Sequence, residues 1–134
     1  KKLGVENLKM LLPRASGARE VLAVELENCG AIVDDVPVYQ TVGVTEDETG
    51  GLQRFAAEGA DLITFTSGST AQHFKNLLEK KSVALPDNVV LASIGPVTSS
   101  VMKELGMVLG LEAKQHDVPG LVEAIVSYFE AEKK

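Results

Sequence analysis

Small and hydroxyl-bearing residues occur at two points where a short apolar run passes into a helical pattern. The first apolar run is 62–66 and the second is 89–94. At both points the turn offers backbone N–H groups, hydroxyls and the positive end of a helix dipole, which together suit an anionic ligand. The candidate anion-binding residues are Thr66, Ser67, Gly68, Ser69, Gly95 and Thr98. At the first turn, hydroxyls that only cap the helix remain an alternative.

Other patterns for catalysis or metal binding lack partners in the sequence. His73 and His116 have no metal-ligating neighbours at a usual spacing, so a solvent-facing or turn position is expected for both. No histidine or acid is placed to activate Ser67 or Ser69 as a nucleophile. The sequence also lacks Gly-x-Gly-x-x-Gly and the Walker pattern. Metal-dependent, dinucleotide-dependent and P-loop chemistry are therefore not predicted.

Tyr39 lies where a strand pattern meets a polar linker. A tyrosine at such a junction can bury its ring and present its hydroxyl to a cleft. A half-buried ring that only packs explains the residue equally well, so both interpretations stay open here.

Asp34 and Asp35, just upstream, suggest a phosphoacceptor pocket. That pocket belongs at the end of the first strand, where this chain has Pro13 and Arg14 instead.

Apolar periodicity places these residues among alternating strands and helices. Strands are predicted at 8–12, 31–39, 61–66, 89–94 and 107–113. Pro13 is expected to stop the first strand, and Ser16 to cap the helix that follows. The alternation predicts an α/β fold, a flavodoxin-like parallel sheet of about five strands with helices on both faces. Ligands of such sheets bind at the carboxyl ends of the strands, where Arg14 and both hydroxyl-bearing turns fall.

The periodicity also divides the chain into three parts. Residues 1–40 form a βαβ unit, residues 41–50 are a connector without helical periodicity, and residues 51–134 supply the remaining α/β portion. The chain begins Lys-Lys-Leu-Gly without an initiator Met. We therefore expect a piece of a longer or processed protein.

Composition narrows the classes of partner. The net charge of −6 argues against nucleic-acid binding, because a basic patch is the usual electrostatic footprint of that class. No run of 18 apolar residues is present, so no membrane span is predicted. Cys29 is the single cysteine, which rules out an intrachain disulfide. These features are typical of a cytoplasmic protein.

Three segments resemble the uroporphyrinogen-III synthase family in their order and spacing. They are 36–42 (Val-Pro-Val-Tyr-Gln-Thr-Val), 63–69 (Ile-Thr-Phe-Thr-Ser-Gly-Ser) and 92–98 (Ala-Ser-Ile-Gly-Pro-Val-Thr). Segments 11–14, 19–22 and 120–125 extend the similarity over almost the whole chain. The sequence departs from the family at Gly68, where Pro is frequent, and at Val97, where Thr is common.

The resemblance implies an enzyme of tetrapyrrole biosynthesis that leads to heme, siroheme and cobalamin. Members are cyclising hydro-lyases that close the linear tetrapyrrole hydroxymethylbilane to uroporphyrinogen III. They invert ring D through a spiro intermediate and use no metal or cofactor. Tyr39 matches the family's candidate for the acid that assists loss of water. Arg14 and the residues of the two hydroxyl-bearing turns lie in the segments that resemble the family, and they are the candidates for binding this substrate.

The resemblance also covers only the second half of the family's sequence. Members have two similar domains joined by a connector, so residues 1–40 and 51–134 are expected to belong to different domains. An N-terminal half, or a fused methyltransferase, is then an expected partner, and one chain alone should have little activity. Two chains could instead exchange their βαβ units in a swapped homodimer. The alternative function is a non-catalytic flavodoxin-like module that binds an anion or a protein.

Overall fold

The computed structural model describes residues 4–132, and the chain separates into two compact units. Unit 1 is Lys1–Val42 and unit 2 is Gly43–Lys134. Five strands and five helices alternate along the described residues, and every strand pairing is parallel. The predicted α/β class is therefore confirmed. The five strands do not form the single sheet predicted but a two-stranded sheet in unit 1 and a three-stranded sheet in unit 2.

Unit 1 is one βαβ motif. Strand β1 (Lys9–Ala15) pairs with β2 (Ile32–Tyr39) from Lys9 opposite Ile32 onward. Helix α1 (Val21–Asn28) connects the two strands and packs against β2. Gly30 ends this connection at a φ of 90°, a left-handed conformation that glycine adopts without steric cost. The sheet thus brings the carboxyl ends of β1 and β2 side by side.

Two expectations for unit 1 are wrong. Strand β1 continues through Pro13 to Ala15 instead of stopping. A two-stranded sheet consists only of edge strands, and proline is tolerated there because its missing N–H can face the open edge. Ser16 does not cap α1, which begins five residues later at Val21 and has no side-chain cap. The Ser16 N–H instead bonds the Tyr39 carbonyl, at 2.7 Å, and extends the sheet.

Unit 2 contains the three-stranded sheet, ordered β3-β4-β5. Its strands are β3 (Leu62–Phe65), β4 (Val90–Ser93) and β5 (Leu111–Glu112). Its helices are α2 (Gly51–Glu58), α3 (Gly68–Lys80), α4 (Pro96–Glu104) and α5 (Val118–Glu132). Apolar and β-branched residues dominate β3 and β4, as expected of strands buried by helices on both sides.

Two apolar clusters cover the two faces of this sheet. Alternate residues of a strand point to opposite faces, so Leu91 joins one cluster and Ala92 the other. The cluster of Leu91 contains Phe65, Ala71 and Met102, from β3, α3 and α4. The cluster of Ala92 is closed by α5. Helices therefore lie on both faces of the three-stranded sheet, as predicted.

The connector sequence is bound to unit 2 from Gly43 onward. Asp47 caps α2, because its Oδ2 accepts from the Leu52 and Gln53 N–H groups at 2.8 and 3.1 Å. Glu46 accepts from Lys81 Nζ at 2.6 Å, a contact that lowers the pKa of Glu46. Gly43 packs so closely on α3 that a Cβ there would lie 2.4 Å from His73 Nδ1. His73 therefore has a packing role in this unit.

The end of unit 2 also differs from expectation. Strand β5 is only two residues long, against a predicted strand at 107–113. Helix α5 starts at Val118, inside the segment 116–120 predicted as a turn. Asp117 causes the early start, because its Oδ1 accepts from the Gly120 N–H at 2.7 Å and caps the helix. Among residues 4–132, no helix combines the length and hydropathy needed to cross a membrane.

Candidate active site

The two hydroxyl-bearing turns lie next to each other in unit 2. They follow β3 and β4, which are neighbours in register, with Phe65 opposite Ser93. The Ile94 N–H bonds the Phe65 carbonyl at 3.0 Å, so the pairing holds to the ends of the strands. Helices α3 and α4 begin within three residues of these ends. Two helix N-termini therefore start side by side at one edge of the sheet.

Ser67 organises the first turn. Its Oγ accepts from the Thr70 N–H at 3.2 Å and caps α3. The same oxygen lies 3.1 Å from Ser69 Oγ and 2.8 Å from Thr70 Oγ1. Ser67 therefore has the helix-capping role that was considered from the sequence as an alternative to ligand binding. Ser69 adds a second hydroxyl to the same turn, while the role of Thr66 in binding stays a prediction.

Buried Ser93 organises the second turn. Its Oγ accepts from the Gly95 N–H at 3.2 Å and lies 2.9 Å from the Gly95 carbonyl, to which it donates. Pro96 follows as the first residue of α4, where its missing N–H costs nothing. Thr98 is 5% exposed in this first turn. The Gly95 backbone is thus fixed at the start of α4.

Four backbone N–H groups remain available at this edge of the sheet. The first N–H groups of a helix have no partner inside the helix. Within residues 4–132, the N–H groups of Gly68 and Ser69 in α3, and of Val97 and Thr98 in α4, have no acceptor. These N–H groups and the two helix dipoles favour negatively charged groups at this edge, although the chain is acidic. This arrangement can bind carboxylates without a basic side chain.

Gly68 permits the close contact between the two helices. A Cβ on Gly68 would lie 2.7 Å from Cγ2 and 3.0 Å from Cβ of Val101 in α4. Val101 has a stiff, β-branched side chain, so it cannot easily move away. Glycine at this position, where relatives of the resembled family often have proline, therefore fits the packing of α3 on α4.

A third turn belongs to the same edge, and the sequence interpretation missed it. Glu112, at the end of β5, accepts a hydrogen bond from Ser99 Oγ of α4. His116 lies against Gly95, because a Cβ on Gly95 would be 2.9 Å from His116 Cγ. The sequence signal that could have found this turn is its position, because residues 113–117 follow the carboxyl end of the third parallel strand.

Arg14 is engaged within unit 1. Its guanidinium forms a two-pronged ion pair with Asp35, and its third nitrogen donates to the Ala18 carbonyl at 2.5 Å. The hydrogen bond from Arg14 lowers the pKa of Asp35, and the same bond raises the pKa of Arg14. A carboxylate ligand would have to compete with Asp35 for this guanidinium.

Tyr39 is the last residue of β2 in unit 1, and its side chain is 62% exposed. This exposure agrees with neither interpretation made from the sequence, because one expected a buried ring with its hydroxyl at a cleft and the other a half-buried packing ring. A phenol without a packing role can serve as a proton donor if a substrate reaches it. Among residues 4–132, no three His, Cys, Asp or Glu side chains form a group that could hold a metal ion.

An open cavity in unit 2 lies at the other end of the sheet. Its volume is about 470 Å³, and it opens beside Val89, at the start of β4, and between the ends of α3 and α4. Leu78, Leu85 and Leu105 give it a mostly apolar lining. The carboxyl edge of the sheet remains the better candidate, because its polar groups converge on one place.

Comparison with known proteins identifies the family. Residues 2–123 match the family model described as uroporphyrinogen-III synthase HemD. The uroporphyrinogen-III synthase of Synechococcus elongatus is 32% identical over 126 residues, which are 90% of this chain and 48% of the relative. That of Chlorobaculum parvum is 30% identical over 97 residues, which are 72% of this chain and 39% of the relative. The chain spans about half the length, or less, of these relatives.

A solved structure supports the fold. The crystal structure of uroporphyrinogen-III synthetase from Helicobacter pylori aligns with a TM-score of 0.70 at 21% identity. The alignment covers 92% of this chain and 55% of the solved chain. The family match extends from unit 1 across both hydroxyl-bearing turns of unit 2. The chain therefore belongs to the uroporphyrinogen-III synthase family.

Proposed function

We propose that this chain supplies half of a uroporphyrinogen-III synthase, which cyclises hydroxymethylbilane to uroporphyrinogen III. The observation that carries the proposal is the pair of helix N-termini at the edge of the three-stranded sheet. The substrate has eight carboxylates, and the chain has a net charge of −6, so recognition by a basic patch is unsuited. Four available N–H groups and the hydroxyls of the same turns suit these carboxylates instead.

The proposed binding residues follow from this edge. Ser69 offers a hydroxyl and an N–H group, and Gly68 and Thr98 offer N–H groups. We assign Ser67 and Gly95 to shaping the two turns as well as to binding, and we keep Thr66 as a proposed binding residue. Arg14 would bind a carboxylate only after leaving Asp35. Holding several carboxylates at once orients the flexible linear tetrapyrrole, and such positioning lowers the barrier to closure of the correct ring.

We assign Tyr39 the role of the weak acid. Loss of the substrate hydroxyl as water requires a proton on the departing oxygen, and a phenol can donate it. The azafulvene left behind is the electrophile for ring closure, with inversion of ring D. The proposed reaction uses no metal or cofactor.

We further propose that residues 1–40 and 51–134 belong to different domains of the active enzyme, joined by residues 41–50. The division of the chain into two units supports this arrangement. Each unit would be completed either by the half of the sequence that the relatives have in addition, or by a second copy in a swapped dimer. We favour the swapped dimer slightly for the isolated chain, and we place the enzyme in the cytoplasm. A fused methyltransferase would be a further partner.

A single-turnover assay with hydroxymethylbilane tests the function. Isomer III is to be measured against the isomer I that forms spontaneously, for the chain alone and for the chain mixed with the N-terminal half of the Synechococcus elongatus relative. We expect mostly isomer I from one chain and isomer III from the completed assembly. If no assembly produces isomer III but the chain still binds carboxylates, the non-catalytic binding module is the correct alternative.

Light scattering on the same samples tests the assembly. A dimeric mass at high micromolar concentration is expected for the isolated chain. A strictly monomeric mass would exclude the swap, and robust formation of isomer III by that monomer would contradict the need for a second half.

A further inference from the structure

Glu112 occupies an unexpected place for an acidic residue. It ends β5 opposite Ser93, and paired residues of neighbouring strands project on the same face of a sheet. Its carboxylate therefore lies under the first turn of α4, where it accepts from Ser99 Oγ. A negative charge at this place should repel the carboxylates of a tetrapyrrole. If this edge binds such a ligand, Glu112 must contribute something that offsets the repulsion.

The hydroxyl of Ser99 has two acceptors but one proton. Ser99 is 2% exposed, and its Oγ lies 3.1 Å from the Gly95 carbonyl as well as against Glu112. A carboxylate is the stronger acceptor, so the proton is directed to Glu112. The Gly95 carbonyl is then left to the Ser93 hydroxyl and to the Ser99 N–H, at 2.9 and 3.0 Å.

The preference of the Ser99 hydroxyl for Glu112 affects the N–H groups that are proposed to bind the ligand. Gly95 is the residue before α4, and the N–H groups of Val97 and Thr98 follow it after Pro96, which has no N–H. The direction in which these two N–H groups point depends on the hydrogen bonds of the Gly95 carbonyl, because that carbonyl closes the first turn of the helix. Glu112 thus fixes the turn through Ser99 without having to touch a ligand.

We propose that Glu112 is a positioning residue of the candidate site and orients the N-terminal turn of α4 through Ser99. The inference rests on the proposed function in one respect, namely that the ligand is a polycarboxylate tetrapyrrole. It assigns to β5 and its turn a part in the site that the sequence motifs did not indicate.

Affinity for uroporphyrin III, a stable octacarboxylate tetrapyrrole, is the first test. Glu112→Ala and Ser99→Ala should each weaken binding about tenfold, the usual scale of one charge-assisted hydrogen bond. The double variant should bind no more weakly than either single variant, because both remove the same contact. Glu112→Gln keeps an acceptor and should retain most of the affinity. If Glu112 only repels the ligand, Glu112→Ala and Glu112→Gln will both tighten binding, and the proposal is overturned.

A matched pair on the same helix controls for a purely structural effect. Ser100 Oγ donates to Glu104 at 3.5 Å on the exposed side of α4. Glu104→Ala and Ser100→Ala should leave the affinity for uroporphyrin III unchanged. If Glu112→Ala lowers only the melting temperature and binds like these controls, Glu112 is a structural residue and not a positioning residue.

A ligand-free measurement separates this inference from the proposed function. Glu112→Ala and Ser99→Ala should shift the same backbone amide resonances, those of Val97 and Thr98, and speed their hydrogen exchange. If the wild-type chain does not bind uroporphyrin III, the proposed binding function fails while these shifts still decide the positioning role. Unchanged amides at Val97 and Thr98 in both variants would refute it, whatever the chain binds.

Discussion

Replacing Gly120 with alanine is expected to lower the free energy of unfolding of unit 2 by about 3 kcal/mol, the upper part of the range for an overpacked site. A Cβ at this position would lie 2.3 Å from the Gln115 carbonyl oxygen and 2.9 Å from its carbon. Both are backbone atoms, so no side-chain rotation relieves the overlap. The Gly120 N–H also bonds Asp117, so a shift of the backbone would weaken the cap of α5.

Gly51→Ala is the matched control for this substitution. Gly51 is the first residue of α2, and the nearest atom to its added Cβ would be Thr49 Oγ1 at 3.4 Å, an ordinary contact. Alanine should be neutral or slightly stabilising there, because it restricts the unfolded chain. Denaturant unfolding of both variants gives the comparison. Equal stability of Gly120→Ala and the wild type would show that residues 113–117 do not pack on α5 as described.

Tyr39→Phe should slow formation of uroporphyrinogen III about 100-fold, the lower end of the contribution of a general acid. The test uses whichever assembly forms the III isomer in the single-turnover assay. The side chain is 62% exposed, so loss of its hydroxyl should leave the stability of unit 1 unchanged. A rate effect without a stability effect is the signature of a role in the chemistry.

The other tyrosine of the chain provides the control. Tyr128 lies on α5, where a hydrogen bond to Glu132 raises its pKa, and it is not part of the proposed mechanism. Tyr128→Phe should form the III isomer at the wild-type rate. If Tyr39→Phe also keeps the wild-type rate, Tyr39 has no part in the mechanism, and another acid must protonate the departing oxygen.

Local sequence patterns predicted most of the fold. Ser67 and Pro96 are residue types that favour helix starts, and α3 and α4 begin at Gly68 and Pro96. The expectations failed where tertiary context decides. Pro13 can continue a strand because its sheet has only two strands, and Ser16 bonds the neighbouring strand instead of capping a helix. Neither contact is visible in the local sequence.

The candidate site was predicted only in part, for a related reason. The turns at 66–69 and 95–98 combine a strand end with a recognisable helix start, so each is visible alone. Glu112 and His116 reach the same edge from a strand of only two residues, and their connection to Ser99 and Gly95 depends on the pairing of β5 with β4. That pairing is a property of the sheet and not of the local sequence.

Titration of the ¹⁵N-labelled chain with uroporphyrin III, followed by amide resonances, tests the central claim most directly. We expect the largest shifts at the four available N–H groups, those of Gly68, Ser69, Val97 and Thr98. Residues around the cavity at the other end of the sheet should not respond. Binding that shifts the amides beside that cavity and leaves these four unchanged would contradict the account.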